Sequence, residues 1–181
     1  MIPDFAAFPK IPRLNRECII TEKIDGTNAS IFISDDLNVI QAASRTRWIT
    51  PQDDNMGFAK WVETNRDLLI VGLGAGHHFG EWWGQKIQRG YGLTEKRFSL
   101  FNTTRWTAET APSCCYVVPE LYRGPFDTHE VRYALETLEI GGSKAATGFM
   151  DPEGVVIYHV AGNLMFKATI KGDDKPKGLK E

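Results

Sequence analysis

Lys23 stands in the stretch ITEKIDGTNASIF (residues 20–32), between two apolar, β-prone runs, with Asp25 and Gly26 directly behind it. A lysine where one strand ends and another begins could serve as a nucleophile. An amine attacks only as the neutral base, and at a pKa near 10.4 less than about 0.1% of it is neutral at pH 7. Burial or a neighbouring cation raises that fraction, so a nucleophilic lysine should come with other cations. A solvated surface charge is the commoner use of lysine, and the stretch carries no weight alone.

The rest of the chain supplies company. SRTR (44–47) carries Arg45 at a strand end. FGEWWG (79–84) sets Glu81 in an aromatic strand, and KRFSLF (96–101) alternates aromatic and small residues around Phe98. PEGVVI (152–157) puts Glu153 at the mouth of a strand, and FKATIK (166–171) puts Lys167 and Lys171 on one face of another. Each alone reads as an ordinary strand-end charge; their order along the chain gives the signal.

The elements that must position these residues are mostly strands. Alternation predicts strands at 17–21, 29–33 and 38–44, with SDDLN as a turn, and further strands in HHFGEWW, RFSLFN and CCYVV. A helix over 55–67 can be capped by Asp53 or Asp54, with Phe58, Trp61, Val62 and Asn65 on one face. VGLGAG (71–76) reads as a loop. It lacks the lysine and spacing of a phosphate loop. Asp127 and Glu130 form a capping box for a second helix, with Val131, Ala134, Leu135 and Leu138 as its stripe and Gly141-Gly142 as its end. Residues 153–170 form a hairpin. A three-residue loop, 161–163, would pair Ile157 with Lys167 and put Glu153 on the same face as Lys167. Strands outnumber helices without a βαβα rhythm, which predicts an α+β fold of antiparallel sheets flanked by helices.

In this order the motifs resemble those of the covalent nucleotidyltransferases, the polynucleotide ligases and messenger-RNA capping enzymes, and most of all the phage-type ATP-dependent RNA ligases. EKIDG is similar to motif I, SRTR to the arginine-bearing element after it, FGEWWG to motif III, KRFSLF to motif IIIa, EGVVI to motif IV and FKATIK to motif V. Together they span residues 22–171. DNA ligases usually carry arginine two residues after Lys-x-Asp-Gly; Asn28 in that place is similar to RNA ligases. Relatives usually have Lys-x-Lys in motif V, whereas here Thr169 follows Lys167 and the next lysine is Lys171.

The resemblance implies a nucleotide groove between two sheets. Lys23 would take AMP from ATP, with Asp25 and Gly26 shaping its turn and Lys167 contacting the α-phosphate. It further implies that Glu22 reads the adenine amino group, that Arg45 and Glu81 hold the ribose and phosphate edge, and that Phe98 stacks on adenine. Asn28 and Glu153 would position hydrated Mg²⁺, or Mn²⁺. The partner implied is RNA with 5′-phosphate and 3′-hydroxyl ends. DNA remains open, as does a module that binds nucleotide without joining ends. Arg45, Arg47, Lys86, Arg89, Lys96, Arg97 and the lysine tail would supply local cations, and Trp82, Trp83 and Tyr91 are candidates for base stacking or for the core.

The totals fit this picture. The chain has 181 residues, 42% hydrophobic and 24% charged, which suits one folded domain rather than a disordered chain. The net charge of −2 excludes a generally basic nucleic-acid coat, so phosphate binding has to be local. Cys18, Cys114 and Cys115 are odd in number and lack a C-x-x-C, which speaks against a disulfide framework and for a reducing, cytoplasmic setting. No apolar run reaches the ~18 residues of a membrane span, and the N-terminus has no signal-peptide pattern. Residues 1–171 read as a single monomeric adenylation domain, 172–181 as a polar, basic tail, with no oligonucleotide-binding barrel expected.

Overall fold

The computed structural model describes residues 3–172; the expected tail, with Lys175, Lys177 and Lys180, lies outside the described residues. The chain runs β1 (Glu17–Lys23), β2 (Thr27–Ile33), β3 (Ile40–Ser44), β4 (Trp48–Ile49), α1 (Phe58–Thr64), α2 (Arg66–Leu73) and β5 (Gly76–Gly84). After a 3-10 turn at Gly90–Gly92 come β6 (Lys96–Leu100), β7 (Tyr116–Val117), β8 (Glu120–Pro125), α3 (Thr128–Gly141), β9 (Gly154–His159) and β10 (Leu164–Thr169). The fold is α+β, built on two sheets. One has the order β10-β9-β1-β8 and the other β4-β3-β2-β5-β6-β7. All neighbours are antiparallel except β6 and β7.

Each sheet buries one face under helix. Ile31, Ile33, Leu100, Trp82 and Phe98 of the six-stranded sheet pack on Phe58, Val62, Leu69 and Leu73 of α1 and α2. Cys18, Ile20, Val155 and Ile157 of the four-stranded sheet pack on Ala134 and Leu138 of α3. Burying alternate strand residues in this way leaves the opposite faces available to a groove.

The expected helix over 55–67 is two helices. It breaks at Asn65, whose backbone sits at φ −104°, ψ 16° and whose side-chain amide donates to the Trp61 carbonyl at 2.8 Å. The second helix continues to Leu73 and absorbs the first part of the segment read as a loop, because burying Leu69 and Leu73 one turn apart outweighs the glycine at 72. Gly57 is the N-cap residue, and of the two expected aspartates Asp54 serves the first turn from outside the helix, accepting from Ala59 N at 2.8 Å and Lys60 N at 3.2 Å. Asp127 caps α3 through His129 N at 2.8 Å. Strand β8 was not expected. Its alternation is weak, and it is a strand because it completes the edge of β1.

The hairpin register differs from expectation. Leu164 pairs with His159 and Lys167 with Val156, and Asn163 N donates to Val160 O at 3.2 Å. The turn is therefore one residue tighter than the three-residue loop. Lys167 shares a face with Val156, not with Val155 and Ile157. Strict alternation would then turn Glu153 away from Lys167, but Gly154 intervenes. Its φ of 152° suits glycine alone, and a Cβ there would collide with the carbonyl of Ala168.

Candidate active site

Lys23 ends β1 and Thr27 begins β2, and these strands belong to different sheets. The segment Ile24-Asp25-Gly26 is thus the crossing between sheets, which accounts for a Lys-x-Asp-Gly at a strand end. Gly26 passes so near β5 that a Cβ would sit 2.5 Å from Trp82 O and 2.6 Å from Trp83 Cβ. Its amide donates to Glu81 Oε1 at 3.2 Å. Asp25 holds the crossing from the other side. Its backbone N–H donates to Tyr91 Oη at 2.8 Å, and its carboxylate accepts from Arg89 Nε at 2.9 Å. Arg89 also donates to the Asp151 carbonyl at 2.7 Å and pairs with its carboxylate at 3.0 Å.

Lys23 Nζ meets Glu153 Oε2 at 2.5 Å, joining residues 130 apart in the chain. Gly154, directly after Glu153, pairs with Lys23 on β1 and with Thr169 on β10. In the next row Thr21, Val156 and Lys167 align. Lys23 and Lys167 therefore share a face, and Lys167 is exposed on it.

The second sheet supplies the facing row. Asn28 pairs with Glu81, and Glu81 with Ser99. Asn28 Nδ2 donates to Glu81 Oε2 at 2.9 Å, which leaves the amide oxygen of Asn28 available. Arg45 follows Ser44, whose partner is Ala29, and so lies beside Asn28. It is exposed and makes no ion pair among the described residues. Burial pushes the Glu81 carboxyl up to about 7. The bond from Asn28, the charge of Lys23 and the Gly26 amide oppose that rise, and the Glu153 charge adds to it.

Two expected roles do not survive the geometry. Phe98 is fully buried and packs against Phe58 at 5.0 Å and Trp61 at 5.7 Å, on the helix side of the sheet. It pairs with Trp82 and so points away from Glu81, one residue out of phase. It is a core residue and offers adenine no platform. Glu22 likewise points away from Lys23. Its buried carboxylate accepts from Ser143 Oγ at 2.6 Å, Lys144 N at 2.7 Å and Ala145 N at 3.0 Å, which fixes the loop after α3 and leaves it unable to read a base.

Other candidates for the substrate are also in use. Trp82, Trp83 and Tyr91 are all buried. Arg89 is tied to Asp25 and Asp151, Lys96 donates to Met56 O, Arg97 pairs with Glu95, and Lys171 pairs with Asp151. Arg89, Tyr91 and Ser143 support the site without any periodic sequence signal to mark that role; they lie 62 to 121 residues from their partners.

Among the described residues no group of three or more His, Cys, Asp or Glu gathers as metal ligands. A divalent ion would therefore rest on few protein oxygens, those of Glu153 and the free amide oxygen of Asn28. Mg²⁺ binds in this way, through one or two side chains with water and substrate phosphates completing the shell.

A family model described as RNA ligase matches residues 16–171. Among solved structures, a Naegleria gruberi RNA ligase variant with ATP and Mn aligns with a TM-score of 0.62 at 20% identity, covering 86% of this chain and 49% of that one. Naegleria gruberi RNA ligase with PPi aligns at 0.60 and 20%, covering 93% and 57%. A further variant with AMP and Mn aligns at 0.59 and 19%, covering 86% and 50%. This chain spans about half the length of those proteins. No curated protein matches it. The structural likeness, at such identity, speaks for the two-sheet fold. The family match covers every motif from EKIDG to FKATIK, and by that match the chain belongs to the RNA ligase family.

Proposed function

We propose that residues 16–171 form the adenylylating domain of an ATP-dependent RNA ligase. The observation that carries this reading is the contact of Lys23 Nζ with Glu153 Oε2 at the crossing between the sheets, facing Glu81 and Asn28. Release of Glu153 and transfer of one proton to water free the Nζ lone pair, and a second proton leaves Nζ for water as the P–N bond forms. The lone pair attacks the α-phosphorus of ATP in line, the bond to the β-phosphate oxygen breaks, and pyrophosphate leaves. Lys167, exposed on the face of Lys23, stabilises charge on the α-phosphate. Arg45 and Glu81 orient the ribose and phosphate edge. Glu153 and the amide oxygen of Asn28 would hold Mg²⁺ or Mn²⁺, which would supply screening of phosphate charge.

A 5′-phosphate oxygen of RNA then attacks the same phosphorus, and the P–N bond breaks, returning the electron pair and a proton to Lys23. Attack of a 3′-hydroxyl on the 5′-phosphorus makes the phosphodiester and expels AMP. The three cysteines are free, as a reducing cytoplasm would keep them, and the domain acts as a monomer in this reading. The test is incubation with α-labelled ATP and Mg²⁺, followed by a panel of 5′-phosphorylated RNA and DNA ends. Label that enters the protein and passes to RNA supports the proposal. Label that never enters the protein, or passes only to DNA, refutes it.

A further inference from the structure

The groove face of the six-stranded sheet continues outward from Glu81 in a second row. Trp48 pairs with Ala43, Ala43 with Ser30, and Ser30 with Phe79. Phe101 N extends the row, donating to Phe79 O at 3.0 Å. The third row is Gln41, Phe32 and His77. Alternation puts all three rows on one side, since His77, Phe79 and Glu81 are every second residue of β5.

These rings are in water although they could have been core. Trp48 is 54% exposed, Phe79 56% and Phe32 37%. They touch one another in a continuous band. The Trp48 and His77 rings stack at 5.9 Å and 20°, and His77 and Phe79 lie 4.3 Å apart. Phe32 stands edge-on to both Trp48 and His77 at 6.2 Å. His77 Nε2 is fixed against Ser30 Oγ at 2.9 Å, so the band has a set orientation.

We propose that this band is a stacking platform for bases of single-stranded RNA beside the nucleotide site. The inference deepens the proposed function and rests on it for the identity of the polymer. Three observations choose an RNA strand as occupant. The exposed apolar surface nearest the site is made of rings, Phe32, Trp48 and Phe79, with the aliphatic Val39 only at its outer end, and every base has a face to stack on a ring. The band is continuous with the candidate active site, because Phe79 lies one side-chain repeat, roughly 7 Å, from Glu81. Its border toward that site carries Arg45, exposed and without an ion pair among the described residues, which suits a phosphate next to a stacked base. A strand laid this way leads its end from the aromatic rows to Lys23.

The test uses the full chain, wild type and the variants Trp48→Ala, Phe79→Ala and both together, after thermal melts show that each folds. The probe is a short 5′-phosphorylated single-stranded RNA with 2-aminopurine near its 5′ end, titrated without ATP. Lysyl-AMP formation from ATP is measured separately. Wild type should quench the fluorophore by stacking. Each single variant should bind the RNA about 5- to 150-fold more weakly, the range for one lost base–aromatic stack, with quenching reduced and lysyl-AMP formation unchanged. RNA binding and quenching that match wild type would overturn the platform. So would self-association abolished by these variants while RNA binding stays intact, because the face would then be a contact between copies. A matching loss of lysyl-AMP formation would assign the rings to ATP and also overturn it. Wild-type protein that takes label from ATP but binds no RNA defeats this inference alone, whereas protein that takes no label defeats the proposed function.

Discussion

Arg89 Nε donates to Asp25 Oδ2 at 2.9 Å, and the same guanidinium reaches both the carbonyl and the carboxylate of Asp151. One side chain thereby ties the crossing that carries Lys23 to the segment that carries Glu153. A cation that sequence suggests for a substrate phosphate instead fixes the distance between nucleophile and partner. Arg89→Ala should slow lysyl-AMP formation by roughly 10- to 100-fold, the scale of a lost hydrogen-bonded charge pair. Asp25→Ala should act through the same contact, so the double variant should lose little more than either single one. Single-turnover labelling of all four proteins checks this; additive losses would mean that the two residues act separately.

Phe98→Ala should cost about 3–5 kcal/mol of stability, because it opens a cavity among Phe58, Trp61 and Trp82. Phe98→Leu should cost less and leave ATP affinity unchanged. Denaturant unfolding and nucleotide titration of the leucine variant separate the two effects. Weakened ATP binding without loss of stability would return Phe98 to the groove.

Glu81 gives the protein a pH dependence of definite sign. Its carboxyl titrates at about 7 in the fold against an ordinary 4.5. Between those values the folded chain holds a proton that the unfolded chain has lost. This group's contribution therefore falls as pH rises from about 4.5 to about 7, by roughly 3 kcal/mol in total, and is level on either side. Glu81→Gln should flatten that part of the stability–pH curve. Urea unfolding across this range measures it; an identical slope in the variant would show that Glu81 is ionised throughout.

Lys167 is exposed and on the face of Lys23. Lys167→Ala should leave stability within about 0.5 kcal/mol of wild type and slow label uptake by about 100-fold, as for removal of one group that stabilises transition-state charge. Thermal melts paired with labelling rates test both halves.

The strand skeleton and the site's carboxylates and lysines were legible because they follow period-2 patterns and family order. EKIDG, FGEWWG and EGVVI mark the places where strands deliver Lys23, Glu81 and Glu153. What stayed hidden depends on phase and on distant partners. Phe98 and Glu81 lie on paired strands, and only the register Glu81–Ser99 reveals that Phe98 faces the helices. Glu22 adjoins the nucleophile in sequence, yet its neighbours are Ser143 and two amides more than a hundred residues away. The hairpin register is set by the tight turn from Val160 to Asn163, and Glu153 reaches the face of Lys23 only because a positive φ at Gly154 breaks the alternation on which the sequence reading relied. The helix break at Asn65 is a side-chain bond to a carbonyl, invisible to an apolar stripe that runs on regardless.

The central claim is that Lys23 is the residue that becomes adenylylated, and its most direct measurement is covalent label from α-labelled ATP and Mg²⁺ on the wild type, Lys23→Ala and Lys23→Arg. Peptide mapping should find AMP on the peptide containing EKIDG in the wild type and none on either variant, with melting curves unchanged. Label that persists on the Lys23→Ala protein, or maps to Lys167 in the wild type, would contradict the account.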